Sequence, residues 1–304
     1  MPQTLSSAAR RWLPRLLLLN LIAEVGIVVT GGLVRLTGSG LGCPTRPQCV
    51  PGSYVPTVEQ EQGIHKIIEF GNRTLTGVVG FPALLVLWGL YRWARERPEL
   101  IRAAWVVLAG VGARAIVGGI TVLTGLNPRI VAFHFLCSMA LVAVSARLYW
   151  RHQQPGGATR SMLHPLVGRL QWVLATVAAV VLVLGTIVTG SGPHSGDADT
   201  PARTGFDPRT ISWLHADAVM LFIGICVAVW LGAKLTERAA GPARARWVVL
   251  MVTLAQGLIG YVQYLTDLPE VLVPAHMFGA SALVVVIVRA IVLSRSPEPL
   301  PSTD

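Results

Sequence analysis

Charged residues are scarce in this sequence, and that scarcity excludes a soluble protein. Asp, Glu, Lys and Arg make up 13% of the 304 residues, whereas 53% are hydrophobic and the mean hydropathy is +0.59. A soluble domain of this size is less apolar. Nothing resembling a signal-peptide cleavage site follows the first apolar run, so we expect no cleaved leader.

Apolar runs long enough to cross a hydrocarbon core of ~30 Å recur along the chain. They predict an all-α integral membrane protein with eight transmembrane helices. The predicted spans lie near residues 14–34, 67–90, 103–123, 130–149, 170–190, 211–233, 247–265 and 272–293.

Acidic residues are also few, 15 against 25 Lys and Arg, and the net charge is +10. This excess does not indicate a nucleic-acid partner, because it follows the predicted topology. Seventeen of the 25 basic residues lie before span one, in every second loop after it, or at the chain end, and seven lie in the alternate loops. By the positive-inside rule both termini are cytoplasmic. We expect a multi-pass protein of the plasma membrane, in contact with lipid and not with nucleic acid.

Only four cysteines are present, and two stand close together in "RLTGSGLGCPTRPQC", which ends at Cys49. The predicted topology puts Cys43 and Cys49 outside, where disulfides persist. No second cysteine pair or nearby histidine pair completes a zinc site, and no C-x-x-C-H haem attachment motif occurs. A disulfide is therefore favoured over half of a metal site or an accidental pair. Cys137 and Cys226 fall within spans and are expected to be packing residues.

The sequence contains an internal repeat. Residues 117–147 laid over 259–289 without a gap give 11 identities in 31 positions, with His134 falling on His276. "VVTGG" at the end of span one likewise resembles "IVTGS" at the end of span five. The repeat predicts two tandem, pseudo-symmetric four-helix bundles related by an axis along the membrane normal. The N-terminal half, a cytoplasmic linker and the C-terminal half are assigned to residues 1–150, 151–169 and 170–304.

Three of the seven histidines lie at one depth in the membrane. His134, His215 and His276 each stand about five residues inside the outer end of spans four, six and eight. Ionisable side chains in spans are costly and normally face an interior site. A bundle can hold a planar cofactor between two such imidazoles, which makes His215 and His276 candidate axial ligands of a b-type haem. Alternatively, these histidines bond carbonyls across helices or line a proton path.

The first half lacks one of these histidines, since the repeat puts Asn72 in its place. In "GIHKIIEFGNRTLTG", the side chains of His65, Glu69 and Asn72 fall at i, i+4 and i+7 and share one helix face. Glu69, just inside the membrane, is a functional candidate by default. The alternative is a structural clamp in which Glu69 pairs with Arg73 or Lys66. The asymmetry suggests a reaction site in the first half and a cofactor site in the second.

Taken together, "VVTGGLVRLTGSGLGCPTRPQC", "IIEFGNRTLTG" and the histidines of spans four, six and eight resemble the haem A synthase family (CtaA type). The resemblance covers nearly the whole chain. It implies an eight-helix membrane oxidoreductase that oxidises the C8 methyl group of haem O to the formyl group of haem A through successive hydroxylations. It also implies haem b as cofactor, haem O as substrate, haem O synthase as a partner, and an electron donor that stays unknown.

The resemblance assigns roles to individual residues, with Asn72 as a departure because many members have a histidine there. The iron of the substrate haem then has either His65 as a replacement ligand or one protein ligand only. Residues 191–210 contain no cysteine, which excludes a second disulfide. The implied ligands of haem b are His215 and His276, and the implied catalytic acid is Glu69. The implied residues of the substrate-haem site are His134, His65, Asn72 and Arg73. The implied disulfide joins Cys43 and Cys49.

Two other functions fit the repeat and the histidines alone. A di-haem electron-transfer cytochrome without catalysis would need two ligating pairs, for which Asn72 is a poor member. A haem or small-molecule transporter would show helices interrupted near the midplane, whereas the polar residues here cluster at the outer edge. Haem propionates are anionic, and their candidate partners at the outer rim are Arg35, Arg73, Arg129 and Arg209.

Overall fold

Eight long helices make up most of the structure, a computed structural model that describes residues 7–194, 196–197, 201–236 and 240–297. All eight are long and apolar enough to span a membrane, which confirms the predicted multi-pass, all-α class. The helices are α1 (Ser7–Leu36), α2 (His65–Trp93), α3 (Pro98–Leu123), α4 (Pro128–His152), α5 (Pro165–Ser191), α6 (Pro208–Thr236), α7 (Ala240–Leu265) and α8 (Leu272–Leu293).

Proline marks the first residue of α3, α4, α5 and α6. At this position proline is well tolerated, because the N–H that it lacks would have no partner within the helix. A side chain just before the helix caps three of these starts. Asn127 accepts from the N–H of Arg129 at 3.0 Å, His164 accepts through Nδ1 from the N–H of Leu166 at 3.4 Å, and Asp207 accepts from the N–H of Thr210 at 2.8 Å. The pKa of Asp207 is lowered by these hydrogen bonds from Thr210.

The internal repeat is visible in the backbone of the turns that follow α3 and α7. Leu126 and Leu268 both adopt the left-handed conformation, with φ of 57° and 59°. The N–H of Leu126 donates to the carbonyl of Thr121, and the N–H of Leu268 donates to the carbonyl of Gln263, both at 2.8 Å. Each of these residues is separated from its counterpart by the same offset as His134 and His276. The two turns are therefore copies of one motif.

The helices pack as two four-helix halves, as the repeat predicts. Within each half, consecutive helices contact one another, and α1 also packs closely on α4. Between the halves, α4 contacts α5 and α8 contacts α1, while α4 and α8 contact each other. Exchanging the halves converts the α4–α5 contact into the α8–α1 contact, which is the pattern of a pseudo-two-fold axis.

Apolar side chains fill three clusters. One lies in the first half and includes Leu13, Leu100 and Leu148, and a second lies in the second half around Phe222 and Val249. The third joins the halves along α1, α4 and α8. Between α4 and α5, strand β1 (Thr159–Ser161) pairs antiparallel with β2 (Arg295–Pro297) just after α8.

Candidate functional site

The structure brings His215 of α6 and His276 of α8 close enough for their imidazoles to interact electrostatically. Each ring lies against a glycine of the preceding helix. A Cβ added at Gly185 or Gly260 would lie 3.3 Å from Cε1 of His215 or His276, respectively. The absence of a side chain on α5 and α7 therefore leaves room for the rings. Nδ1 of both histidines is buried without a hydrogen-bond partner.

His134 of α4 has the same surroundings in the first half. A Cβ added at Gly118 of α3 would lie 3.2 Å from its Cε1, and its Nδ1 is also buried without a partner. Gly118 and Gly260 are counterparts in the repeat, as are His134 and His276. Since Nδ1 of His134 and of His276 makes no hydrogen bond, the alternative of histidines that donate to carbonyls across helices through this atom is disfavoured for these two. The ring of His215 interacts with the backbone of Val181 on α5, so that alternative still applies to His215.

The donor set fits haem better than a free metal ion. Within the described ranges, no three His, Cys, Asp or Glu side chains cluster as metal ligands. Haem brings four nitrogen ligands of its own and needs only axial ligands from the protein. Single imidazoles on separate helices, each beside a glycine, meet that requirement.

Asn72 and His65 are each held by a hydroxyl group. Oδ1 of Asn72 accepts from Oγ1 of Thr30 at 2.9 Å, which ties this amide to α1. His65 is the first residue of α2, and its Nδ1 lies 2.8 Å from Oγ of Ser39. This bond occupies one ring nitrogen of His65 and leaves Nε2 for any other ligand.

Glu69 is only 5% exposed and binds Arg73, so the basic partner left open by the sequence is Arg73. Oε1 accepts from Nε of Arg73 at 2.6 Å, whereas Nζ of Lys66 donates to loop carbonyls instead. Oε2 of Glu69 is buried and has no hydrogen-bond partner. Glu69 therefore does form the ion pair with Arg73. The pair uses Oε1 of the carboxylate and leaves Oε2 without a partner.

Cys43 and Cys49 form the expected disulfide, and both are fully buried. The loop they close is bound to α2, because the guanidinium of Arg73 donates to the carbonyls of Cys43, Thr45 and Gln48 at 2.5, 3.1 and 3.3 Å. Burial of both sulfur atoms limits access by thiols, which disfavours disulfide exchange. The loop therefore holds Arg73, and through Arg73 it holds Glu69 in position.

Arg46, between the two cysteines, reaches from this loop into the site. Its Nη2 lies 3.7 Å from Oε1 of Glu69, and its side chain is close enough to His134 to interact with the imidazole. Burial and the charge of Arg73 lower the pKa of Arg46, and Glu69 opposes them. Sequence reasoning counted Arg46 only as a loop charge. A basic residue inside a short disulfide loop was the signal that could have identified it.

A second buried ion pair also escaped the sequence reasoning. Glu24 of α1 and Arg114 of α3 are 0% and 3% exposed, and Nη1 of Arg114 donates to Oε2 of Glu24 at 2.8 Å. Arg114 stands one helical turn from Gly118, the glycine beside His134. An acidic residue inside an apolar span was the available signal for Glu24.

Of the four arginines considered for propionates, two already have partners. Arg35 donates to the carbonyls of His194 and Thr189 at 2.6 and 2.8 Å, and Arg73 is bound as described. Arg129 and Arg209 are exposed in the first turns of α4 and α6. These two are the better placed for an anionic group at the rim.

Comparisons with known proteins were made for the whole chain. A family model described as cytochrome oxidase assembly protein, COX15–CtaA, matches residues 14–288, a range that reaches all eight helices. The heme A synthase of Alkalihalophilus pseudofirmus is 33% identical over 140 residues, which cover 43% of this chain and 44% of that protein. The heme A synthases of Bacillus cereus and Bacillus mycoides are each 24% identical, over 93% and 91% of this chain and 92% and 90% of those proteins.

Proposed function

Because the chain belongs to the COX15–CtaA family of cytochrome oxidase assembly proteins, we propose that it is a haem A synthase. The reaction is the oxidation of the C8 methyl group of haem O to a formyl group. The observation that carries this proposal is the repeated His–Gly arrangement together with the buried carboxylate of Glu69, whose neighbour Arg46 also interacts with His134. Relatives that align over most of the chain bear the name heme A synthase.

In the second half, His215 and His276 would hold haem b through their imidazoles. Haem b would supply one-electron transfer. The glycines at positions 185 and 260 leave space beside the rings, and Nδ1 of each ring is buried. The neutral imidazole is the form that binds iron. Residues 170–304 are thus assigned to the cofactor half.

In the first half, residues 1–150 would bind the substrate haem O, with His134 as the ligand to its iron. His65 is the candidate for a second ligand through Nε2, and Asn72 is not, because its amide is bound to Thr30. The di-haem electron-transfer cytochrome is not favoured, because the relatives that align over most of the chain bear the name heme A synthase.

Glu69 would act on the reacting carbon. Oxidation of the methyl group develops positive character at this carbon, and a carboxylate held in a low-dielectric site stabilises such a charge. Arg73 fixes the carboxylate through Oε1, so that Oε2 can face the substrate or accept a proton. Arg46 adds a cation from the disulfide loop at 3.7 Å. The Glu69 carboxylate is therefore preorganised by Arg73 and Arg46.

The proposed setting is the plasma membrane, with both termini in the cytoplasm and the disulfide loop outside. Haem O is apolar enough to reach the site from the bilayer, and haem O synthase is the proposed source.

The test is to express this chain together with a haem O synthase and to analyse the extracted haems by mass spectrometry. Haem A and its hydroxylated precursor are expected, and cells without this chain provide the control. Finding only haem B and haem O in a folded, haem-loaded preparation would overturn the proposal.

A further inference from the structure

The buried pair of Glu24 and Arg114 has no role in the mechanism described so far. It joins α1 to α3 in the interior of the first half through one 2.8 Å contact. Oε1 of Glu24 and Nη2 of Arg114 are buried and have no hydrogen-bond partner. Charges inside a membrane span are expensive, and an incompletely bonded pair is more so. Such a pair calls for a functional explanation.

The repeat shows that the shared fold does not need these charges. The offset that relates His134 to His276 places Gln256 at the position of Arg114, and the match of "VVTGG" to "IVTGS" places Val183 at the position of Glu24. Gln256 is uncharged and donates from Nε2 to the carbonyl of His276 at 2.7 Å. The second half thus builds the same bundle with neutral residues.

Of the two residues in the pair, Arg114 is the one that interacts with His134. Arg114 lies close enough to His134 to interact with the imidazole, as does Arg46. In the second half, the group that interacts with His276 in this way is His215. The imidazole of His134 therefore interacts with two cations, Arg114 paired with Glu24 and Arg46 near Glu69, whereas the imidazole of His276 interacts with another imidazole.

We propose that the Glu24–Arg114 pair is a positioning element that raises the reduction potential of the haem bound at His134 above that of the haem bound by His215 and His276. Reduction adds one negative charge at the iron, which a nearby cation stabilises in a low dielectric. In the transfer, iron in the second half loses one electron and iron in the first half gains it, with no proton moved. The pair thereby sets the direction of electron flow between the halves. This inference rests on the proposed function.

The experiment is a spectroelectrochemical titration of the purified protein loaded with haem b and haem O. The variant E24V/R114Q carries the residues that the repeat puts in the second half. It removes both charges together, a change that is often neutral for stability. We expect the electron equilibrium between the haems to shift at least tenfold away from the first half, which is about 59 mV for a one-electron couple. The potential of the haem in the second half stays unchanged.

Three further variants serve as controls for this titration. E24Q/R114Q retains hydrogen bonding and replaces E24V/R114Q if that variant fails to fold, and R114K keeps the charge and is expected to keep the potential. His134→Ala identifies which midpoint belongs to the first half. Two bound haems with unmoved potentials in the neutral variants overturn the inference alone. A protein that never binds haem at His134 overturns the proposed function and the inference with it.

Discussion

Buried charges surround the histidine of the first half, whereas the second half pairs its histidines with each other. Two local features recur in both: a histidine of the last helix lies against a glycine of the preceding helix, and the turn between them adopts the same left-handed conformation. The side chains differ, with Glu69, Arg73, Arg46, Glu24 and Arg114 only in the first half. One bundle design thus carries two different sets of side chains, and under the proposed function the added charges mark the reaction half.

The largest effect is expected from removing the carboxylate that the second half lacks. Glu69→Gln should lower haem A formation by at least about 100-fold, the scale of one electrostatic stabiliser, because the amide does not stabilise positive charge. The haem b spectrum should persist. The matched control is Asp217→Asn, which neutralises an exposed carboxylate on α6. Haem analysis and optical spectra measure both quantities, and loss of the haem b spectrum in Glu69→Gln would make Glu69 structural.

The next effect compares the same substitution at the two repeat-related histidines. His276→Ala should remove the haem b spectrum, because it deletes one of two axial ligands. His134→Ala should leave that spectrum intact and reduce product instead. Reduced-minus-oxidised spectra of purified protein distinguish the two variants. An unchanged spectrum in His276→Ala would refute the ligand assignment, and equal losses in both variants would remove the distinction between the halves.

The smallest effect concerns the loop that only the first half closes with a disulfide. Replacing Cys43 and Cys49 by alanine should lower the free energy of unfolding by about 2 kcal/mol, the chain-entropy value for so short a loop. Product should fall as well, since Arg46 and the carbonyls that bind Arg73 belong to this loop. Thermal unfolding and haem A yield are measured separately. Lost product at unchanged stability would indicate a redox role for the disulfide.

The sequence predicts the spans and the two halves well, because apolar runs and repeats are local patterns. It places the start of span two at residue 67, whereas α2 begins at His65, since helix ends depend on the loops that bind them. The sequence gives the spacing of Glu69 and Arg73, but it does not decide whether Arg73 or Lys66 is the ion-pair partner of Glu69. That choice depends on where the loop carbonyls lie.

Arg46 and Glu24 show where local reasoning ends. Arg46 reaches the site only because residues 43–49 fold back over α2 and α3, a tertiary approach that no sequence spacing encodes. Glu24 lies in a span that the average hydropathy alone identifies, and one acidic residue changes that average little. Its partner Arg114 lies 90 residues away in the chain. Charges inside apolar runs therefore have to be examined individually.

Contacts outside the helices join the two halves on one face of the membrane, and on the other face they join the linker that follows α4 to the end of α8. On one face, Arg35 at the end of α1 binds the carbonyl of Thr189 at the end of α5, and the N–H of Gly40 donates to Gly196 at 2.8 Å. On the other, β1 before α5 pairs with β2 after α8. Because contacts outside the helices are present at both faces, the bundles resist hinging about the axis between them. The separation of their two histidine sites is thereby held constant, so electron tunnelling between them would occur over a fixed distance.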